Sequence, residues 1–234
     1  MKSPIFLLTI FLFVISCNKK DLSTLDSSDK NYYPVKNGYW IKYAVDSIRI
    51  SFNNPKIDSF VSKYQILETI DSFDIDLAGN QRWKLTILRR ADSSKPWDFV
   101  KLWTLFIRDN KVHKIENNID FIKMVFPIGK TYTWYDKAYY DTELEKRNSS
   151  KILYEYNDIH MPYQGMYNSF DSTIRVVYYN YEDVINKDHF EEIYAKNIGM
   201  VYSEEFQQEK NPLDEWTKPQ EGFYIRYQYL DHAK

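Results

Sequence analysis

Runs in which every second residue is apolar recur along this chain, and that spacing constrains its fold more than any other feature. Successive side chains of a strand point to opposite faces, so alternation marks one buried face and one wet face. Tyr64, Ile66 and Ile70 share such a face, and Trp83, Leu85 and Ile87 alternate with Lys84 and Thr86. Ile152, Tyr154 and Tyr156 alternate, as do Ile174, Val176 and Tyr178, and later Phe223, Ile225, Tyr227 and Tyr229. Val100 to Ile107 is apolar almost throughout and reads as a central strand. Asp109-Asn110 predicts a tight hairpin back into Lys111 to Ile115. The last run ends close to the C-terminus, so the final strand is expected to close the sheet. A helical stripe is absent except at Val184 to Ile193, which reads as a turn or two of helix with Asp183 as its cap. The expected fold is all-β and mainly antiparallel with little helix, either barrel-like or built as two similar β-halves.

Composition agrees. Of 234 residues, 18% are aromatic, with 21 Tyr and only 6 Gly, and aromatic side chains suit a pleated, half-buried surface. The length allows one domain of generous size or two small ones. Lys plus Arg (31) nearly balance Asp plus Glu (33), which speaks against nucleic acid as a partner.

Lys2 precedes an apolar run from Ile5 to Ile15, which has the length of a signal-peptide core and is too short to span a bilayer as a helix. It ends at Val14-Ile15-Ser16-Cys17, where the sole Cys stands, and gives way to Asn18-Lys19-Lys20-Asp21. This junction resembles the lipobox of bacterial lipoproteins, with Val14 in place of the commoner Leu. The resemblance implies cleavage between Ser16 and Cys17, a diacylglycerol thioether on the Cys17 sulfur and an N-acyl chain such as palmitate on its new amino group. No cofactor beyond these covalent lipids is expected. The implied partners are the membrane and the export and processing machinery. Asn18, where an Asp can signal inner-membrane retention, implies the outer membrane, and Lys19-Lys20-Asp21 is similar to a surface-export signal of Bacteroidota lipoproteins, leaving the periplasmic or surface face open. Residues 1–16 are thus read as a signal peptide, 17–31 as the lipidated Cys and a polar, mobile tether, and 32–234 as the β-rich domain.

Within that domain, Tyr33-Pro34-Val35 leading to Trp40 and Tyr43 is echoed at an offset of 93 residues by Phe126-Pro127-Ile128-Gly129-Lys130 leading to Trp134. Two halves, 32–125 and 126–234, would explain the echo, as would two edge strands alike in how they begin. These two elements, with the hairpin Ile193 to Tyr202, are similar to a group of uncharacterised Bacteroidota envelope lipoproteins. That resemblance implies a β-rich, barrel-like fold and no activity. The group often has Gly where this chain has Asn197, and Asn tolerates the left-handed turn conformation nearly as well.

Catalytic signatures are missing: there is no HExxH, GxSxG, Walker loop or GxGxxG. His113, His160, His189 and His232 have no metal-ligand spacing. Asp74, Asp76 and Gly79 match the start of a calcium loop, but Arg82 and Leu85 occupy later ligand positions, so a polar hairpin explains them better. Glu143, Glu145, Glu191, Glu192, Glu204 and Glu205 read as solvated acids, although a glycosidase-like pair assembled across strands remains open. Trp40, Trp83, Trp103 and Trp134 are expected in the core. Trp216, in a polar stretch, and Trp97 are the candidates for stacking on a ligand such as a sugar. Asp46-Ser47-Ile48 and Asp171-Ser172-Thr173 resemble a short O-glycosylation sequon of Bacteroidota. The expected function is a non-catalytic binding or structural module, lipid-anchored in the cell envelope, with an envelope protein or glycan as partner. The alternatives are a glycan-binding accessory lipoprotein of a nutrient-uptake system, and a hydrolase with a carboxylate site assembled across strands.

Overall fold

The computed structural model describes residues 28–53, 56–77, 79, 81–135, 137, 153–216 and 219–233. Cys17, the signal sequence, Glu143 and Glu145 lie outside the described residues. Among those described, a short 3-10 helix, Asp29–Tyr32, precedes twelve strands in a single antiparallel sheet. The strands are β1 (Trp40–Asn53), β2 (Lys56–Ile75), β3 (Gln81–Arg90), β4 (Asp98–Arg108), β5 (Lys111–Glu116) and β6 (Ile119–Val125). They continue with β7 (Thr133–Tyr135), β8 (Leu153–Gln164), β9 (Ser169–Glu182), β10 (Asn186–Ala195), β11 (Gly199–Glu209) and β12 (Glu221–His232).

Every strand pairs with its neighbours in sequence except β6 with β7, and β12 also pairs with β1, from Ile41 opposite His232 to Ile50 opposite Gly222. The expectation that the final strand joins the sheet is met on the first strand. The remaining seam, between β6 and β7, is bridged by Phe121 opposite Lys137 and by the Trp134 indole, which donates to the Ile122 carbonyl at 3.0 Å. The result is an up-and-down sheet nearly closed into a barrel. Six strands lie on each side of residue 126.

Alternation fixes which faces turn inward. Tyr43 and Val45 on β1, Ile66 and Ile70 on β2, Leu85 and Ile87 on β3 and Leu105 on β4 form one buried cluster. Tyr154 and Tyr156 on β8 and Ile174, Val176 and Tyr178 on β9 join Met124, Trp134, Tyr194 and Tyr32 in a second. Outward positions carry ion pairs: Lys42–Asp231, Arg226–Asp46, Arg82–Asp74 and Arg175–Asp158. No helix among the described residues is long and apolar enough to cross a membrane.

Several expectations need correction. Val184 to Ile193 is not helical. Val184 and Ile185 form the turn into β10 and the rest belongs to that strand, and the Asp183 carboxylate accepts from the backbone N–H groups of Ile185 and Asn186, closing an Asx-type turn. The folded body begins before Tyr32: Asp29 is buried and accepts from the Ile128 N–H at 2.9 Å. Of the four core tryptophans only Trp134 is buried. Trp83 and Trp103 are half-buried against the β1–β4 cluster, and Trp40 points outward beneath Lys42. β4 is a central strand only in its lower half, because its pairing with the short β5 starts at Thr104, and Phe99, Val100 and Leu102 above it are exposed.

The tight turns follow their sequences. Asp109 and Asn110 take positive φ values of 49° and 57°, as the two-residue hairpin requires. Asn197 sits at φ 67° in the β10–β11 turn, followed by Gly199 at φ 95°. A Cβ on Gly199 would come within 3.2 Å of the Ile41 Cδ1 atom. Asn197→Val should therefore lower unfolding free energy by about 1–2 kcal/mol, the penalty for a left-handed β-branched residue. Asn197→Gly should shift it by less than about 1 kcal/mol. Urea denaturation of the two variants checks the difference.

Candidate functional site

Tyr33 and Met200 pack against both of these clusters, and residues of both line a cavity of about 300 Å³. Its apolar wall includes Tyr43, Leu85 and Leu105 on one side and Tyr154, Phe190 and Tyr194 on the other. The N-terminal segment closes one end. Tyr33 packs on Tyr194 with ring centroids 5.6 Å apart, the Asn31 carbonyl accepts from Asn197 N–H at 2.7 Å, and the Tyr39 hydroxyl donates to the Ile198 carbonyl at 2.8 Å. Among the described residues the wall is low at β5 and β6, with 6 and 7 residues against 20 in β2, and lowest at β7, with 3.

Charge is built into this interior. Lys123 on β6 and Glu192 on β10 are both buried and meet at 3.0 Å. The Tyr178 and Tyr194 hydroxyls donate to the other Glu192 oxygen, and the Lys123 ammonium lies 4.4 Å from the Tyr178 ring centroid. Burial pushes the Glu192 carboxyl up, but Lys123 and the two phenols outweigh it and hold its pKa below the ordinary value. A buried pair becomes tolerable when its remaining lone pairs are satisfied in this way. Lys114 and Glu116 form a second pair at 2.9 Å on β5. The Lys114 ammonium also lies 3.7 Å from the Trp103 ring centroid, with Lys101 4.0 Å from the same ring.

Glu68 is different. It occupies an inward position of β2 between Ile66 and Ile70, lines the cavity, and makes no hydrogen bond or ion pair with any described residue. Desolvation raises its pKa. Lys114 and Lys123 oppose that shift from a distance, while Glu192 and Glu116 add to it. The interior thus holds two matched ion pairs, one carboxyl without a partner, and Glu205 from β11.

The sequence candidates lie elsewhere. Trp97 is on the β3–β4 turn and Trp216 on the β11–β12 turn, at the barrel end opposite the N-terminal segment, with the β1–β2 hairpin between them. Each is already engaged: the Arg90 guanidinium covers the Trp97 ring at 4.2 Å, and the Trp216 indole donates to Glu182 at 2.8 Å. Ser47 is part of a mid-sheet strand, and the Ser172 hydroxyl is 2.6 Å from that of the fully buried Tyr32, which also meets His160 Nδ1 at 2.7 Å. Asp74 pairs with Arg82 across the β2–β3 hairpin, and no group of three metal-ligating side chains occurs among the described residues. Glu192, read from sequence as a solvated acid, is buried at the cavity wall. Glu68 carried no expectation, although a charged residue interrupting the Tyr64, Ile66, Ile70 face was its visible signal.

These features define a plugged antiparallel barrel with a ligand-sized, partly charged interior. No protein-family model and no curated protein matches the chain. Among solved structures it is similar to a candidate lipoprotein of Parabacteroides distasonis ATCC 8503, solved at 2.70 Å. The identity is 11% over 86% of this chain and 98% of that one, with a TM-score of 0.34. So distant a likeness leaves function to be read from the barrel's own residues.

The unpaired carboxyl has a measurable consequence. Glu68 has a raised folded-state pKa, so its burial costs stability only where it is ionised. The cost is absent below the unfolded value of 4.5 and grows as pH rises through the folded one. Glu68→Gln should melt higher than the parent protein at neutral pH, and the gap should close by about pH 4. Thermal melts across that range check both sign and window.

Proposed function

We propose that this protein is a lipid-anchored, non-catalytic binding module of the bacterial cell envelope that holds a small molecule inside its barrel. The cavity carries this reading. Ligand sites are concave and mostly apolar with a few placed polar groups, and about 300 Å³ lined by tyrosines, leucines and an unpaired carboxyl fits that description. The anchor rests on Val14-Ile15-Ser16-Cys17. Two or three acyl chains on Cys17 would hold the protein firmly, each buried CH₂ contributing about 0.8 kcal/mol. The ten residues 18–27 between Cys17 and the described body, fully extended, reach at most ~35 Å. The outer membrane remains the preferred address.

A hydrolase is the second reading, favoured by one observation: Glu68 with a raised pKa and Glu192 with a lowered one share a cavity. Such a split separates a general acid from a base. Against it, both Glu192 oxygens are already engaged by Lys123, Tyr178 and Tyr194, which suits a structural ion pair better than a nucleophile. The glycan-binding alternative would need Trp97 and Trp216 to release their present partners.

Two experiments test the proposal. Cys17→Ala should abolish labelling by a fatty-acid probe and leave unprocessed precursor, and normal processing would remove the anchor from the account. Leu85→Trp places an indole in the cavity. It should reduce binding of the neutral probe tryptophol on the order of tenfold or more, at an overpacking cost of about 1–3 kcal/mol and with an unchanged far-UV circular dichroism spectrum. Unaltered binding would remove the cavity as the site.

A further inference from the structure

We propose that the ligand of this cavity is a cationic amphiphile, a small molecule with a protonated amine on an aromatic or apolar body, and that Glu68 receives the amine. The inference rests on the binding reading above and names the chemical class.

The argument is one of charge matching. The charged side chains on the cavity wall are Glu68, Lys114, Glu116, Lys123, Glu192 and Glu205; Glu205 has a contact of its own, Lys101 stands outside the wall over Trp103, and Glu68 alone makes no hydrogen bond or ion pair with a described residue. Lys114 is matched to Glu116 at 2.9 Å and Lys123 to Glu192 at 3.0 Å. Neither ammonium is free to receive an anion, because each also lies over a ring, Lys114 over Trp103 and Lys123 over Tyr178. An anionic ligand would have to break one of these pairs and leave a second carboxylate unmatched in a desolvated interior, at a cost of several kcal/mol. A neutral ligand would leave Glu68 as it stands. A cation at Glu68 supplies the partner that this carboxyl lacks, in a place where desolvation already disfavours its charge. The rest of the wall suits the body of such a molecule. Tyr43, Tyr194 and Tyr227 place aromatic rings on the wall, where an ammonium is tolerated, and Ile70, Leu85 and Leu105 offer apolar contact.

The test uses three indoles of near-equal shape and different charge: tryptamine (cation), tryptophol (neutral) and indole-3-propionate (anion). Each is titrated calorimetrically against the mature, lipidated protein in phosphatidylcholine nanodiscs at neutral pH, with empty nanodiscs subtracted. Tryptamine should bind on the order of tenfold tighter than tryptophol, as expected for one charge-assisted hydrogen bond, and indole-3-propionate should bind weakest. Glu68→Gln should erase the tryptamine advantage while retaining tryptophol binding, which also reports that the variant is folded. Equal affinities for all three, preference for the anion, or a tryptamine advantage that survives Glu68→Gln would overturn the cationic class and leave the binding barrel standing. Binding of none of the three would overturn both.

Discussion

Closing a sheet of twelve strands imposes one geometric constraint from which much of this molecule follows. An eight-stranded barrel is just wide enough for side chains to fill, and diameter grows with strand number. Twelve strands enclose a width that Val, Ile and Leu cannot span from opposite walls. The chain answers with tyrosine. Tyr43, Tyr154, Tyr156, Tyr178 and Tyr194 all point inward and are buried. Each supplies a long, flat apolar body, and four of their hydroxyls find polar partners: the Met200 carbonyl for Tyr43, the Val125 backbone for Tyr156, and the Glu192 carboxylate for Tyr178 and Tyr194. Phenylalanine would fill the same space without these hydrogen bonds. The excess of tyrosine in the composition is thus a consequence of barrel width as much as of strand propensity.

Tyrosine does not fill the space completely, and what remains decides the chemistry. In a desolvated interior each charge must be matched or carry its desolvation cost. Lys123 and Glu192 satisfy this by joining β6 to β10 across the interior, with two phenols taking up the remaining oxygen. Glu68 does not satisfy it. A core selected for stability alone would place Leu or Gln there, since an unmatched, desolvated carboxyl works against the fold. Local violations of this kind are kept where function needs them.

The sequence made the strands legible because their signal is local. Period two at Tyr64 to Ile70, Trp83 to Ile87 and Ile174 to Tyr178 depends only on the residues themselves, and so do the Asp109-Asn110 and Asn197 turns. Closure is not local. Nothing near Trp40 announces that β1 will pair with β12. The helix reading at Val184 to Ile193 failed because Asp183 offers a carboxylate to the next backbone N–H groups in a helix cap and in an Asx turn alike. Glu192 was misread for a related reason. Its spacing from Phe190 and Tyr194 puts it on the inward face, but a helix assumed over the same residues hides a period of two. Val100 to Ile107 shows the opposite failure: an apolar run was taken for burial, whereas β5 is too short to cover the upper half of β4.

The N-terminal segment gives the barrel a direction. Odd-to-even turns, including those that bear Trp97 and Trp216, lie at one end, and the chain enters at the other. There Asp29 is held by the Ile128 N–H, Tyr32 is fully buried, and Pro34 packs against Gly199, so the residues that precede β1 are themselves part of the closure. The Asn31 carbonyl and the Tyr39 hydroxyl add two hydrogen bonds to the β10–β11 turn, so the segment that enters the barrel also fixes the turn across from it.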